Sequence, residues 1–428
     1  MEHRREQARD APREPRHGQP DRRGGGAVPG RAVPGDRGRG PHRPRHRRAR
    51  LPPGRPRAAR GDHRRVDGPG PALTGPPPAR TRRAAAPTAL LVAVAVALLL
   101  ASVTVAVTIG PAQISALDVW RSVAHHLAVA VGAGAPEPPL GVLRDGIVWD
   151  LRVPRVLTAA AVGAGLAVAG TVMQGLMRNP LADPYLLGLS SGASLGAVAV
   201  LVLGAAVLLP VAAFAGAVAA LTATLALAGS LGTLTPARTI LAGLAVAQLC
   251  AAATSFVIFW SATGDSYREI LAWLMGSLAG AGWHSVAVAG AGTLVLGTYL
   301  CTRGATLDAF AFGDRAAAAL GIAVGRTRWV LLTVVALMTG ALVSVSGAIG
   351  FVGLILPHAV RLVVGAGHRR LLPLAALTGA TFLVWADTAA RTVFDPRELP
   401  VGVVTAFLGA PVFALLLWRR RSDQAGAA

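Results

Sequence analysis

A chain of 428 residues with 53% hydrophobic and only 15% charged residues is too poor in charge for a water-solvated surface, since soluble domains carry about 25%. All 42 basic residues are Arg; without Lys there is no GxxxxGK[ST] phosphate loop and no Schiff-base lysine, so any nucleotide that drives this protein is hydrolysed by another chain. The net charge of +21 is lopsided, because residues 1 to 86 hold 23 Arg against 8 acids while the remainder holds 19 against 13.

Residues 1 to 86 are dominated by Arg, Gly, Pro and His and show no hydrophobic periodicity, so disorder is expected. Within them RHRRAR (Arg45 to Arg50) is a candidate contact for nucleic acid or anionic lipid. The alternative is an unselected tail, an over-extended gene start whose true beginning lies near Val66 or Leu73.

From residue 87 to 421 the chain reads as an all-α polytopic membrane domain. Ten apolar segments are long enough to cross a hydrocarbon core about 30 Å thick. They lie at roughly 88–110, 153–174, 184–204, 208–229, 238–260, 282–301, 328–346, 348–366, 371–392 and 400–418. With the N-terminus inside, the inner loops and flanks hold fifteen Arg against seven outside, which sets both termini on the cytoplasmic face of the cell membrane. Two outer segments exceed the length of a turn. Gln113 to Asp150 opens with a candidate helix, ISALDVWRSVAHHL, and Gly264 to Gly280 contains the amphipathic SYREILAWLMG with Trp273 as interfacial anchor.

Arg178 to Gly196, RNPLADPYLLGLSSGASLG, is a helix break followed by a small-residue stripe. Pro180 and Pro184 stop the second span, and Gly188, Gly192 and Gly196 form a smooth groove for a neighbouring helix. Gln248 is the deep polar group of the fifth span. Cys250 and Cys301 lie in or beside apolar runs and read as packing residues.

Thr302 to Arg328, TRGATLDAFAFGDRAAAALGIAVGRTR, carries six charges between two apolar runs. Gly313 divides it into two helix-forming blocks, 306–312 and 314–320, and Gly321 closes the second as a C-cap. Two short helices across the ends of long ones make a flat polar shelf, suited to contact with a soluble partner.

In Gly347 to Val363, GAIGFVGLILPHAVRLV, Pro357 is expected to kink the helix and free carbonyls that need partners. His358 beside it reads either as a packing residue or as a group that meets protons or substrate. Asp387 and Arg391 stand four apart on one helix face and can pair. At that depth they mark either function or mutual neutralisation at the interface. The sequence holds no catalytic constellation and no His/Asp/Glu metal cluster, so no enzyme activity, metal or cofactor is expected.

Three stretches together resemble one family. RVPRVLTAAAVGAGLAVAGTVMQGLMRNPLADPYLLGLSSGASLGAV, GAIGFVGLILPHAVRLVVGAGHRRLLP and ADTAARTVFDPRELPVGVVTAFLGAPVFALLL resemble the signatures of FecCD permease subunits of iron–siderophore and vitamin B12 ABC importers, with order and spacing kept over about 88–418. The resemblance implies ten spans per subunit and a second permease copy or paralogue around a central path. It also implies cytoplasmic ATPase subunits and an extracytoplasmic substrate-binding protein.

The shelf at 302–328 resembles the family's coupling helices, which makes Leu307, Asp308, Phe310, Gly313, Asp314, Arg315, Leu320 and Gly321 the candidate ATPase-coupling residues. Phe310 and Phe312 stand where leucines are commoner, and Ala318 where Arg is frequent. Arg152, Arg155 and Arg391 resemble the basic sites that receive acidic knobs of the binding protein. The family's path-lining fifth and tenth spans point to Gln248, Thr254, Ser255 and Thr405. The implied function is the permease of an ATP-driven importer of a metal chelate, ferric siderophore first and cobalamin or haem next, working by alternating access without chemistry, cofactor or nucleic-acid partner. The rival is an ion-coupled secondary transporter, for which only His358 would supply a titratable group in mid-membrane.

Overall fold

The computed structural model describes residues 88–425 apart from 111, 113, 134–136, 206–207, 231, 262–263 and 395. The tail expected over 1–86 lies outside the described residues. The regular elements among them are helices. The peripheral α1 (Thr88–Thr108) is followed by α2 (Ala116–Ala130), α3 (Val142–Gly146) and a π-helical segment, Ile147–Arg152, that runs straight into α4 (Val153–Met177). A 3₁₀ turn at Pro184–Leu187 leads into α5 (Leu189–Val202), α6 (Leu209–Ser230), α7 (Pro236–Ser261) and α8 (Gly264–Leu274).

Next come α9 (Trp283–Ala291), a second π-helical segment at Gly292–Gly297, and α10 (Thr298–Thr302). The short α11 (Gly304–Ala311) and α12 (Asp314–Ala319) precede α13 (Val324–Ser346), α14 (Val352–Val364), α15 (His368–Thr392) and α16 (Val401–Ala425). Seven helical stretches are long and apolar enough to cross a membrane, and three shorter apolar helices, α5, α14 and the first part of α16, fall within the other expected spans.

The short spans have a local cause. Asp183 caps the 3₁₀ turn by accepting a 2.8 Å bond from the Tyr185 N–H, so α5 starts at Leu189 rather than at 184. Before α14, Gly347 (φ +64) and Phe351 (φ +68) hold the chain out of the helix, so that span starts at Val352 rather than 348. Such irregular backbone survives at membrane depth only when protein satisfies it. The Tyr185 hydroxyl does so, donating to the Ile349 carbonyl at 3.0 Å and accepting from its N–H at 3.2 Å.

Around α4 the bundle is built by contact between backbones. Twenty of its 25 residues are buried, and Ala and Gly make up much of the list. A Cβ on Gly163 would stand 2.3 Å from the Gly379 carbonyl oxygen of α15, and one on Gly170 only 1.9 Å from the Gly353 oxygen of α14. The stripe on α5 works likewise, with Gly192 against Gly216 and Gly196 against Ala212 of α6, while Gly188 faces Gly243 of α7. Between helices in lipid, dispersion at short range replaces the hydrophobic drive, so these approaches carry the packing.

α14 runs through Pro357, whose missing N–H leaves the Gly353 carbonyl without its helical donor. Gln174 of α4 fills that gap, its amide donating to the carbonyls of Gly353 (3.4 Å) and Leu354 (3.1 Å), while its Oε1 accepts from Arg361 at 3.2 Å.

Gly170→Ala should therefore lower stability by roughly 2–3 kcal/mol through overpacking. Gly290→Ala, where an added Cβ meets nothing within 4 Å, should be neutral or slightly stabilising. Thermal unfolding of the solubilised chain reads the difference, and equal melting of the two variants would remove the backbone-contact account.

Candidate docking, coupling and path sites

At 25 residues, or about 37 Å of rise, α4 and α15 each span the bundle and run antiparallel. Their ends define two sites. At the start of α4 the guanidinium of Arg155 is gripped along one side by Asp387 of α15, with Nε–Oδ2 2.9 Å and Nη2–Oδ1 3.0 Å. Its remaining Nη1 donates to Glu398 at 2.8 Å. Asp387 is 2% exposed and Glu398 47%, so one carboxylate is locked in the core and the other faces solvent.

Arg152 and Arg391 do different work. The last carbonyls of any helix lack intrahelical donors. Here Arg152 donates to the carbonyls of Val107 (3.0 Å) and Thr108 (3.2 Å) at the end of α1, and to Ala112 at 2.9 Å. Arg391 donates to Ile109 at 2.9 Å and also to the Ala106 carbonyl. Both side chains are buried, and together they cap α1 with cations at its negative dipole end. The expected Asp387–Arg391 pair along one helix is a marginal 4.0 Å contact, because Asp387 turns to Arg155 instead. All three arginines and Glu398 line one cavity of about 360 Å³.

At the other end the shelf forms as two short helices, slightly displaced from the expected blocks, with Gly313 (φ +98) between them and Gly321 (φ +81) after the second. Its two faces differ. Leu307 and Phe310 are fully buried and anchor the shelf to the core, whereas Phe312 (82% exposed) and Leu320 (71%) stand out from it. Arg315 and Gly321 are exposed as well. Asp308 accepts from the His368 N–H at 2.9 Å and lies 2.7 Å from its Nδ1, so the shelf is tied to the first residue of α15. Arg328, itself 2% exposed, bonds Asp314 at 2.8 and 3.2 Å and the Leu234 carbonyl at 2.8 Å, with its guanidinium carbon 5.3 Å from the Phe310 ring centre. The Arg328 hydrogen bonds hold the Asp314 carboxyl below its usual range.

The four path candidates separate into pairs. Gln248 and Ser255 lie on the exposed face of α7, beside Leu241, Leu244 and Phe259. Thr254 and Thr405 are buried and bond their own helices, to Cys250 (2.8 Å) and Gly402 (3.0 Å). On α16 an apolar groove of about 530 Å³ runs past Met275, Val403, Phe407 and Pro411. His358 is half-buried.

Sequence reasoning passed over Gln174 and Glu398. A signal for the first existed, since Pro357 announces an orphan carbonyl four residues earlier; which distant side chain answers it is a matter of packing. Asp387→Ala should leave the buried edge of Arg155 without a partner, with only the exposed Glu398 as counter-ion, and cost about 3–5 kcal/mol. Adding Arg155→Leu should recover part of that loss in thermal unfolding, and simple additivity of the two changes would dismiss the coupling.

The model of the FecCD transport family matches residues 98–419. The cobalamin import system permease protein BtuC of Halobacterium salinarum is 43% identical over 75% of this chain and 93% of its own length. The hemin transport system permease protein HmuU of Yersinia pestis is 42% identical over 65% of this chain and 85% of its own. A solved inward-facing structure of a metal-chelate type ABC transporter superposes with a TM-score of 0.67 at 30% identity, covering 77% of this chain and 99% of that one. The chain belongs to the FecCD transport family, as a multi-pass membrane subunit of a metal-chelate type ABC importer whose ATP is hydrolysed by separate ATPase subunits.

Proposed function

We propose that two copies of this chain enclose the path of an importer whose substrate is a corrinoid, with cobalamin the first candidate. The observation that carries the substrate is the 43% identity to a cobalamin permease across 93% of that protein's length, which reverses the siderophore-first order expected from the resemblance. Haem is the second reading, on the 42% identity to a hemin permease. Both are macrocyclic metal chelates.

In this reading the arginine end faces outward and the shelf faces the cytoplasm, as the excess of Arg on shelf-side loops favours. The exposed faces of α7 and α16, with Gln248 and Ser255, line the path, while Thr254 and Thr405 stabilise the helices behind it. Phe312, Arg315 and Leu320 touch the ATPase. Leu307, Phe310, Asp308 and Asp314 transmit its push, because they join the shelf to the core, to α15 and to α13. Alternating access then follows from rocking of the antiparallel α4–α15 pair.

Docking of the binding protein works by exchange. Arg152 and Arg391 are committed to the carbonyls at the end of α1, and Asp387 holds one edge of Arg155, so the edge bonded to the exposed Glu398 is the one a partner carboxylate can take over. Glu398→Gln should thus strengthen capture of the loaded binding protein by about two- to fivefold at low salt, the worth of an exposed ion pair. Unchanged or weaker capture would remove the exchange while leaving the permease assignment standing.

Vesicles holding the permease with its ATPase and binding protein test the whole reading. Expected is ATP-dependent uptake of cobalamin that persists after ion gradients are collapsed. Uptake of a ferric siderophore but not cobalamin would overturn the substrate, and uptake driven by an ion gradient without ATP would overturn the mechanism.

A further inference from the structure

A cavity of about 460 Å³ at the shelf end opens between α10 and α11 on one side and the start of α13 on the other. Its polar rim is made by Arg303, Arg326, Thr306 and Thr327, and its wall by Ile322 and Val330. Both arginines are exposed, and neither has a carboxylate partner among the described residues. Arg328, two residues beyond Arg326 on α13, is by contrast matched by Asp314. Arg303 is held in place by Tyr299, its guanidinium carbon 4.7 Å from that ring's centre.

The cavity's height in the bundle indicates its ligand. Immediately above the rim, Trp329 and Val330 of α13 are exposed, and so are Leu294 and Val295 in the π-helical segment that precedes α10. These residues belong to membrane-spanning stretches, so apolar surface meeting lipid turns into a cationic rim within about two and a half helical turns. A Trp at that boundary sits where lipid headgroups lie. An unpaired Arg pair there presents planar donor forks suited to a phosphate. Basic pockets between spans at the membrane surface take anionic lipid headgroups.

We propose that this cavity seats the phosphate headgroup of an anionic phospholipid from the shelf-side leaflet. Arg303 and Arg326 bind the phosphate from opposite walls, Thr306 and Thr327 donate to its remaining oxygens, and an acyl chain runs from Val330 over the exposed Leu294 and Val295. Such a lipid joins α10 and α11 to α13 and so braces both attachments of the shelf.

The test uses the full-length chain in mild detergent, with dioleoyl phosphatidylglycerol, dioleoyl phosphatidylcholine and inorganic phosphate as probes, read by native mass spectrometry and thermal shift. Phosphatidylglycerol should bind and raise the melting temperature, phosphatidylcholine should do so far less, and inorganic phosphate at millimolar levels should neither bind nor stabilise. Arg303→Gln and Arg326→Gln should each weaken phosphatidylglycerol binding about tenfold, as loss of a charged hydrogen bond does. Arg370→Gln, an exposed arginine outside the cavity, should leave it unchanged. The inference fails if the double variant keeps its preference for phosphatidylglycerol, or if inorganic phosphate gives the same stabilisation. It also fails if the variants lose ATPase association with lipid binding intact, which would assign the arginines to a protein contact.

Discussion

The rest of the bundle depends on how closely the backbone of α4 approaches those of α14 and α15, at Gly170 against Gly353 and Gly163 against Gly379. In lipid a helix gains little by exchanging a lipid neighbour for a helix neighbour unless the fit is tight. Here the fit is tight enough that no side chain could be inserted. From that approach follow the polar contacts that need it. Gln174 reaches the carbonyls freed by Pro357 because α14 lies directly against α4, and Arg155 meets Asp387 because α15 does.

Both ends of the α4–α15 pair use charge inside the protein, but to different purposes. At the arginine end, two guanidinium groups cap α1, and the third is divided between a buried and an exposed carboxylate. Such a site is buried on its inner edge and open to solvent on its outer edge. At the shelf end, Asp308 and Asp314 fasten two short helices to α15 and α13, leaving an apolar pair, Phe312 and Leu320, facing outward. A force on that pair passes to the spans through hydrogen bonds and buried anchors rather than through a flexible loop.

Much of this was legible in the chain itself. Apolar length announced seven full spans and the three shorter apolar helices, Pro180 and Pro184 the break after the second, Gly313 and Gly321 the two-helix shelf, and the four-residue spacing of Gly188, Gly192 and Gly196 a helix-packing stripe. Local rules sufficed because each depends on near neighbours only. The starts of α5 and α14 were misjudged by four or five residues. Apolar content continues through Pro184–Leu187 and Gly347–Phe351, whereas their backbone does not stay α-helical.

What the sequence alone determined, then, is the class of solvent, the succession of apolar helices, the shelf and the absence of a nucleotide-burning loop, since hydropathy, Pro, Gly and Lys content act locally or by composition. Only the tertiary structure decided which acid each arginine meets. Asp387 lies four residues from Arg391 but bonds Arg155, which is 232 positions away in the chain, and the buried carbonyls of α1 claim Arg152 and Arg391. Desolvation drives that choice: a buried cation takes whichever oxygens the packing brings to it, and sequence distance has no part in the outcome.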